Sequence, residues 1–326
     1  MKAVITGGAG FIGSHLSEAL VARGDEVVCV ERPGVSRRWI AELPIEVREH
    51  GVENPRLLAS AFTGADVVYH LAGLTAARKP ADYYRVNTEG TARVLRVAAE
   101  VPGGPPRVVL ASSLSASGPC VNGDPVCEES VPHPLSHYGH SKLMAELMMH
   151  AYADRVPGVI LRLSSVYGPR EQGVLKFFQL VQHGIALTVG AWNREVCLLY
   201  VRDLVQGLVA AGTNPLAAGR TYYLSHPQPI TWRDFADAVG QALGRHAVLV
   251  SVPSSIAKVV AVGAELGALV ARTAAILNRE RVREITQARW VCDVGRSIRE
   301  LAFSPAYPLH RGVGETAAWY LEAGWI

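Results

Sequence analysis

The stretch "TGGAGFIGS", Thr6 to Ser14, decides how this chain folds. It follows a short β-rich run, "KAVIT" at 2–6, and opens a segment with helical spacing, "FIGSHLSEALVARG" at 11–24. Gly7, Gly10 and Gly13 stand three residues apart in it. A strand that turns into a helix this sharply needs glycine in the turn. The turn then aims backbone N–H groups and the positive end of the helix at one point, where a pyrophosphate is held. A glycine triplet says little by itself, but the strand before it and the helix after it are the context the motif requires.

Outward from that turn the pattern repeats. "EVVCVE" at 26–31, a third strand before "EHGVEN" at 49–54, "ADVVYHLAG" at 65–73, "RVVLASS" at 107–113 and "GVILRLSSVYG" at 158–168 read as strands. Helical stretches such as "NTEGTARVLRVAAE" at 87–100 and "YGHSKLMAELMMHAYA" at 138–153 lie between them. Continuously apolar strands separated by helices form parallel βαβ units covered on both faces. The expectation is an α/β fold, a doubly wound parallel sheet of Rossmann type. After Pro169 the rhythm changes. "EVCLLYVRDLVQGLVAAG" at 195–212 and "TYYLS" at 221–225 return to the sheet, and "TWRDFADAVGQALG" begins a helix with Thr231 as N-cap. The domain expectation is a dinucleotide-binding body over 1–168, rejoined by 194–225. A smaller, mostly helical substrate lobe takes 169–193 and 226–326.

The composition narrows the function. Of 326 residues 49% are hydrophobic and 19% charged, so a substantial core forms and disorder is excluded. With a net charge of +3 and arginines in pairs no denser than Arg37–Arg38, nothing marks a nucleic-acid surface. Five scattered cysteines give neither a disulfide framework nor a C-x-x-C pair, and no His/Cys group has metal spacing, so no metal is expected. A reducing, cytoplasmic setting follows, and "MKAVITGGAG" carries no signal-peptide pattern. The most apolar late segment runs from Ser254 to Leu277, interrupted by Lys258, Glu265 and Arg272 on one stripe. It reads as an amphipathic helix for core or dimer packing, too polar to span a membrane, with a membrane-surface role as the lesser alternative.

Two further positions carry chemistry. Glu31 ends the second strand, where a carboxylate accepts hydrogen bonds from the adenosine ribose hydroxyls and repels a 2′-phosphate. Arg32 pulls the other way, and Arg37 and Arg38 would help a phosphate. NAD is therefore favoured, with NADP as the alternative. Tyr138 and Lys142, in "SHYGHSKLMAE", leave one face of a helix a turn apart.

Together "TGGAGFIG", "HLAG" at 70–73, "NTEGT" at 87–91, "ASS" at 111–113, "YGHSK" at 138–142 and "VYGPR" at 166–170 resemble the extended short-chain dehydrogenase/reductase family, also called the NAD-dependent epimerase/dehydratase family. The resemblance covers nearly the whole chain. It implies that Tyr138 is the acid/base, that Lys142 supports it and holds the nicotinamide ribose, and that Ser113 orients the substrate oxygen, with Ser112 as its competitor. A free phenol has a pKa near 10, which an ammonium one turn away and a positive nicotinamide ring would lower. The cofactor would lie on Gly7, Gly10, Phe11, Ile12, Gly13, Glu31 and Arg32, on Leu71, Ala72 and Gly73, and on Tyr138 and Lys142. His70 would end a strand near it, and Asn87 would either contact the site or interrupt a helix. A homodimer through two helices of the body is also implied.

Departures from the family pattern bear on the substrate. Leu114 and Ser115 stand where sugar dehydratases carry an acidic pair. Ser165 replaces the asparagine that nucleotide-sugar members place on the diphosphate, and Val196 their arginine, with Arg194, Arg170 and Arg202 as candidate substitutes. Gly51 takes the place of an aspartate that meets the adenine. "RLSSVYGPREQG" and "SSLSASGP" are nearer to 3-beta-hydroxysteroid dehydrogenase-like and dihydroflavonol reductase-like members. The expected activity is an NAD(P)-dependent oxidoreductase interconverting a secondary alcohol and a ketone on a largely apolar small molecule. A nucleotide-sugar 4-epimerase with tightly bound NAD is the alternative, and a non-catalytic dinucleotide-sensing module the alternative of another class.

Overall fold

A computed structural model describes residues 1–271 and 278–326. Seven parallel strands form the central sheet: β1 (Lys2–Thr6), β2 (Glu26–Glu31), β3 (Glu46–Glu49), β4 (Val67–His70), β5 (Arg107–Ser113), β6 (Gly158–Leu163) and β7 (Thr221–Leu224). Their order is β7-β6-β5-β4-β1-β2-β3. Five helices cover the sheet: α1 (Phe11–Ala22), α2 (Pro55–Phe62), α3 (Glu89–Glu100), α4 (His137–Ala151) and α5 (Val201–Thr213).

Alternate residues of each strand serve opposite cores. Ala3 and Ile5 of β1 pack with Leu16 and Leu20 of α1 and Leu204 and Leu208 of α5. Val4, between them, packs with Leu58 of α2, Leu95 of α3 and Met149 of α4. This is the doubly wound sheet that the sequence predicts. The chain runs outward from β1 to β3, then crosses back to lay β4 on the other side of β1. The order reverses between β1 and β4, and the crevice at their carboxyl ends is where such sheets take a ligand.

The later segments divide differently from the sequence reading. "TYYLS" supplies β7, as expected. "EVCLLY" stays out of the central sheet. Its Glu195–Val196 pairs with Ile230–Thr231 and Arg289–Trp290, and its Leu198–Tyr200 pairs with Ser165–Tyr167. The lobe closes on a core of Tyr167, Phe178, Tyr200, Phe235 and Tyr320. Thr231 caps the helix Trp232–Leu243 in a reciprocal box with Asp234.

Two more lobe helices are α6 (Ser254–Ala271) and α7 (Arg279–Ile285). Among the described side chains of α6, core packing is limited to the small Ala257 and Ala261, while Ile256, Val259, Val260 and Val262 are exposed in the single chain. Arg272 and the rest of that segment to Leu277 lie outside the described residues. Among the described residues no helix is long and apolar enough to cross a membrane.

The glycine turn tolerates no side chain at Gly13, where a Cβ would lie 2.1 Å from the Gly7 carbonyl oxygen. At Gly10 the nearest atom would be 3.3 Å away. Gly13→Ala is therefore expected to lose about 1–3 kcal/mol of stability, whereas Gly10→Ala loses less than about 1 kcal/mol. Urea unfolding of the two variants checks the difference.

Candidate active site

The first strand ends in a turn held by close backbone approach. Gly7 takes φ +79°, donates its N–H to the Val30 carbonyl at 3.1 Å, and leaves only 3.0 Å between a notional Cβ and the Ala72 nitrogen. Leu71, Ala72 and Gly73 therefore line the crevice directly beside the glycine turn. Gly8, which sequence reading passed over, is equally constrained, since a Cβ there would fall 2.3 Å from the Cys29 sulfur. No side chain caps α1 and no acid stands in its first turn, so the N–H groups of Phe11, Ile12 and Gly13 are left for an anion. The side chains of that turn face elsewhere: Phe11 stands edge-on to His15 and Ile12 packs on the core. The cradle fits a dinucleotide pyrophosphate.

Glu31 is buried at the end of β2, and its Oε1 accepts the Ala9 N–H at 2.7 Å. Burial pushes this carboxyl up, while the Ala9 and Gly8 N–H groups and the charges of Arg32 and Arg37 hold it back. Arg37 is paired with Glu49. The Arg38 guanidinium lies 4.1 Å over the Trp39 ring and 5.6 Å over that of Trp325. Of the three arginines near the adenosine end, Arg37 is ion-paired, Arg38 is exposed and engaged with the tryptophan rings, and Arg32 is exposed with neither kind of partner among the described residues.

His70 ends β4 inside a directed chain of hydrogen bonds. The Thr91 hydroxyl gives its proton to the Asn87 carbonyl at 2.6 Å, so it accepts from His70 Nε2–H at 3.1 Å. His70 Nδ1 then accepts from the Thr6 hydroxyl at 2.7 Å, and Thr6 accepts from the Ala72 N–H at 3.3 Å. This network assigns a neutral imidazole. Burial, helped by the charge of Lys142, pushes its pKa down to about 3. Asn87 is buried in a π-helical turn, Tyr84–Thr88, and clasps the next loop from both sides. Its side chain accepts from the Leu74 N–H at 2.8 Å and donates to the Leu74 carbonyl at 3.1 Å and to the Ser141 hydroxyl at 2.9 Å. Both sequence readings of Asn87 hold, since it interrupts the regular helix and supports the site. Such π-turns collect at functional sites.

Tyr138 and Lys142 share one face of α4, one turn apart. Lys142 is buried and donates to the Ala111 carbonyl at 2.8 Å. Burial lowers its pKa to about 8, and the charge of Glu146 opposes that shift. Ser113 faces the Tyr138 phenol and lowers its pKa. Ser112 is turned away and donates to Glu146, so the structure separates the two competitors. The Tyr138 phenol sits above its ordinary value: burial raises it most, Ser113 lowers it, and Glu284 raises it further. The expected lowering by Lys142 is not present in the protein alone.

Three supports of α4 escaped the sequence reading. A Cβ on Gly139 would lie 2.3 Å from the Ser115 carbonyl, so glycine lets α4 settle on the turn after β5. Glu146, one turn beyond Lys142, forms a buried ion pair with Arg162 at 2.8 Å, and Arg162 also donates to the Tyr223 hydroxyl. From the lobe, Glu284 of α7 accepts from the Ser136 hydroxyl at 2.6 Å, and Glu280 accepts from the His137 N–H at 3.1 Å. Ser136 is the N-cap of α4, so the lobe grips this helix at its first turn. These partners lie far apart in sequence, and only the glycine carried a signal, inside "YGHSK".

The fold and this site define a dinucleotide-dependent enzyme. A family model described as the NAD dependent epimerase/dehydratase family matches residues 3–224, and the chain belongs to that family. Its members and relatives are NAD(P)-dependent reductases, epimerases and dehydratases of the extended short-chain dehydrogenase/reductase class. The chain is 28% identical over 323 residues to "Ceramide reductase" of Caulobacter vibrioides, spanning 99% of this chain and 95% of the relative. It is 31% identical over 266 residues to "UDP-glucuronic acid decarboxylase 1" of Xenopus tropicalis, spanning 74% of this chain and 60% of the relative. Among solved structures, a UDP-glucuronic acid 4-epimerase from Bacillus cereus in complex with NAD superposes with a TM-score of 0.79 at 22% identity, with 99% of both chains covered.

The buried neutral His70 gives a pH signature. Its folded pKa lies below the unfolded 6.5, so between these values the unfolded chain takes up a proton that the folded one refuses. Stability is then lost as pH falls, by about 1.4 kcal/mol per unit. Urea unfolding between about pH 6 and 5 is expected to show this slope, and His70→Asn to flatten it.

Proposed function

We propose that the protein is an NAD-dependent oxidoreductase that interconverts a ketone and a secondary alcohol on a largely apolar small molecule. The observation that carries this reading is the fate of Arg194. It is buried, and its guanidinium donates to the carbonyls of Ala191, Val189 and Ile285 and to the Thr188 hydroxyl. A cation spent on four internal acceptors has no fork left for a sugar diphosphate. The other two candidates are committed as well. Arg170 pairs with Glu18 and donates to Ser14, and Arg202 pairs with Glu315 at 3.2 Å. No acid follows Ser113: Leu114 is buried, and the Ser115 N–H donates to the Ser113 hydroxyl at 3.1 Å, which leaves dehydration unsupported. The full-length match to a relative named for the reduction of a ceramide agrees with an apolar substrate.

When bound, NADH supplies the hydride to the carbonyl carbon. The residues do the rest. Ser113 holds the carbonyl oxygen against Tyr138, and the phenol gives that oxygen its proton. Lys142 carries the charge that steadies the phenolate left behind. Tyr83, with its ring centre 6.0 Å from that of Tyr138, offers an aromatic wall beside the reacting group. We assign the homodimer to the outer face of α3 and α4, where Met144 and Leu147 stay exposed. Five free cysteines suit a reducing cytoplasm.

Two measurements test the reading. Tyr138→Phe should lose about 10²–10⁴ of turnover on an apolar ketone panel while binding NADH as before. Activity retained in that variant would reject the assignment, and NAD released in stoichiometric amount from the denatured wild type would favour the epimerase. NADPH should bind at least about tenfold more weakly than NADH, because Glu31 would face the 2′-phosphate. Fluorescence titration of the two reduced cofactors reads this directly.

A further inference from the structure

The two-stranded sheet of the lobe, Ile185–Val189 paired with Val248–Val252, is apolar on its outer side. Ile185 aligns with Val248 and Leu187 with Val250, so these four share one face, and all four are exposed. Val189 and Val252 continue the same face by parity. There α6 covers them, by packing Ala257 and Ala261 against those two valines and Val282 of α7. The uncovered strand face and the outer side of α6 therefore lie next to each other. That side is built of Ile256, Val259, Val260 and Val262, with Val259 73% exposed. The helix buries alanines and presents β-branched aliphatics, the reverse of an ordinary core helix. A contiguous apolar surface of this kind marks an interaction site.

Charge identifies what it meets. Residues 245–289 hold seven Lys and Arg against three Glu and no Asp, a net +4, while the whole chain carries +3. The segment that carries most of the apolar face is thus basic, although Arg289 at its end is paired with Glu195. The acids here are turned inward or paired: Glu280 and Glu284 bond the start of α4, and Glu265 pairs with Arg279 at 2.9 Å. Lys258, Arg281 and Arg283 stay exposed. An aliphatic face rimmed with cations is the form that seats in the headgroup region of an anionic bilayer.

We propose that α6 and the adjoining strand face dock this enzyme on an anionic lipid surface. The helix that follows, α7, holds the first turn of the catalytic helix through Glu280 and Glu284, so docking sets the lobe beside Tyr138 against the lipid. Docking itself does not depend on the reaction assigned above. Only the corollary, a carbonyl substrate drawn from the bilayer, rests on it.

The test is flotation of the full chain with vesicles of phosphatidylcholine alone or of equal parts phosphatidylcholine and phosphatidylglycerol, at rising salt. Wild type is expected to float with the mixed vesicles, to float less with the neutral ones, and to be released as salt rises. Val259→Asp/Val260→Asp and, separately, Lys258→Glu/Arg283→Glu should each lower binding by about tenfold or more, with NADH binding and the melting temperature kept as fold controls. Failure of wild type to bind the anionic vesicles overturns the proposal, as does undiminished binding by the aspartate variant. Absence of vesicle binding, together with a dimer that dissociates in the aspartate variant, would assign the face to a second copy of the chain and overturn it equally. Because the readout is flotation, a failed ketone panel leaves the outcome unaffected.

Discussion

The site depends first on how closely two backbone turns approach at the ends of β1 and β4. Gly13 sits against the Gly7 carbonyl, and Gly7 sits against Ala72, with no room for a Cβ at either place. That contact fixes the start of α1 and the 71–73 turn as one unit. The 71–73 turn in turn meets Asn87 and Lys142, since a Cβ on Gly73 would lie 3.0 Å from Asn87 Oδ1 and 3.2 Å from Lys142 Nζ. The hydrogen-bond chain from Ala72 through Thr6, His70 and Thr91 to Asn87 runs beneath it. A shift at the pyrophosphate cradle would therefore be felt at the ammonium, without any flexible linker between them.

The electrostatics of α4 show competing effects in which burial is the largest. Burial alone would discharge Lys142 and keep Tyr138 neutral. Glu146 pulls Lys142 back, and it bears its own charge in the interior because Arg162 and Ser112 satisfy it. Such a pair contributes little net stability, but losing one partner strands the other. Tyr138 receives no comparable help and stays protonated at neutral pH, with Glu284 adding to its reluctance. A phenol in that state is ready to give a proton. On the proposed reaction, the resting protein is set for reduction, and oxidation must wait for the positive nicotinamide to lower the phenol.

The fold was legible because its signals are local. Gly7, Gly10 and Gly13 announce the first turn, and apolar runs such as "VVYH" and "RVVLASS" mark strands buried on both faces. The strand β3, "EVRE", carries its charges on the sheet edge and has no such run. That Tyr138 and Lys142 share a helix face was legible from their spacing of four, and Thr231 from cap chemistry; the role of the pair came only from the family resemblance. What stayed hidden joins distant segments. Glu284 bonds a serine 148 positions away, and Arg162 finds Glu146 only once β6 lies beside α4. The packing of α6 was hidden for the same reason, because an apolar stripe does not reveal which of its residues a neighbour covers, here Ala257 and Ala261.

The arginines make the last step. Relatives acting on nucleotide sugars must place cations where a diphosphate will sit, and such cations must be kept free of internal partners until substrate arrives. Here Arg194 holds the carbonyls of 189, 191 and 285, which ties the strand Ile185–Val189 to α7. Arg170 ties the chain after Ser165–Tyr167 to α1, and its guanidinium lies 5.3 Å over the Trp39 ring. The positive charge that could have recognised an anion has become structural, joining the lobe and the cofactor loop to the body. On the proposed reaction, substrate affinity must then come from apolar area and from the hydrogen bonds of Ser113 and Tyr138 at a single oxygen. That arrangement discriminates weakly along an aliphatic chain and strongly at the carbonyl. Under that proposal the lobe selects for the position of one oxygen on a hydrophobic molecule rather than for a charged handle.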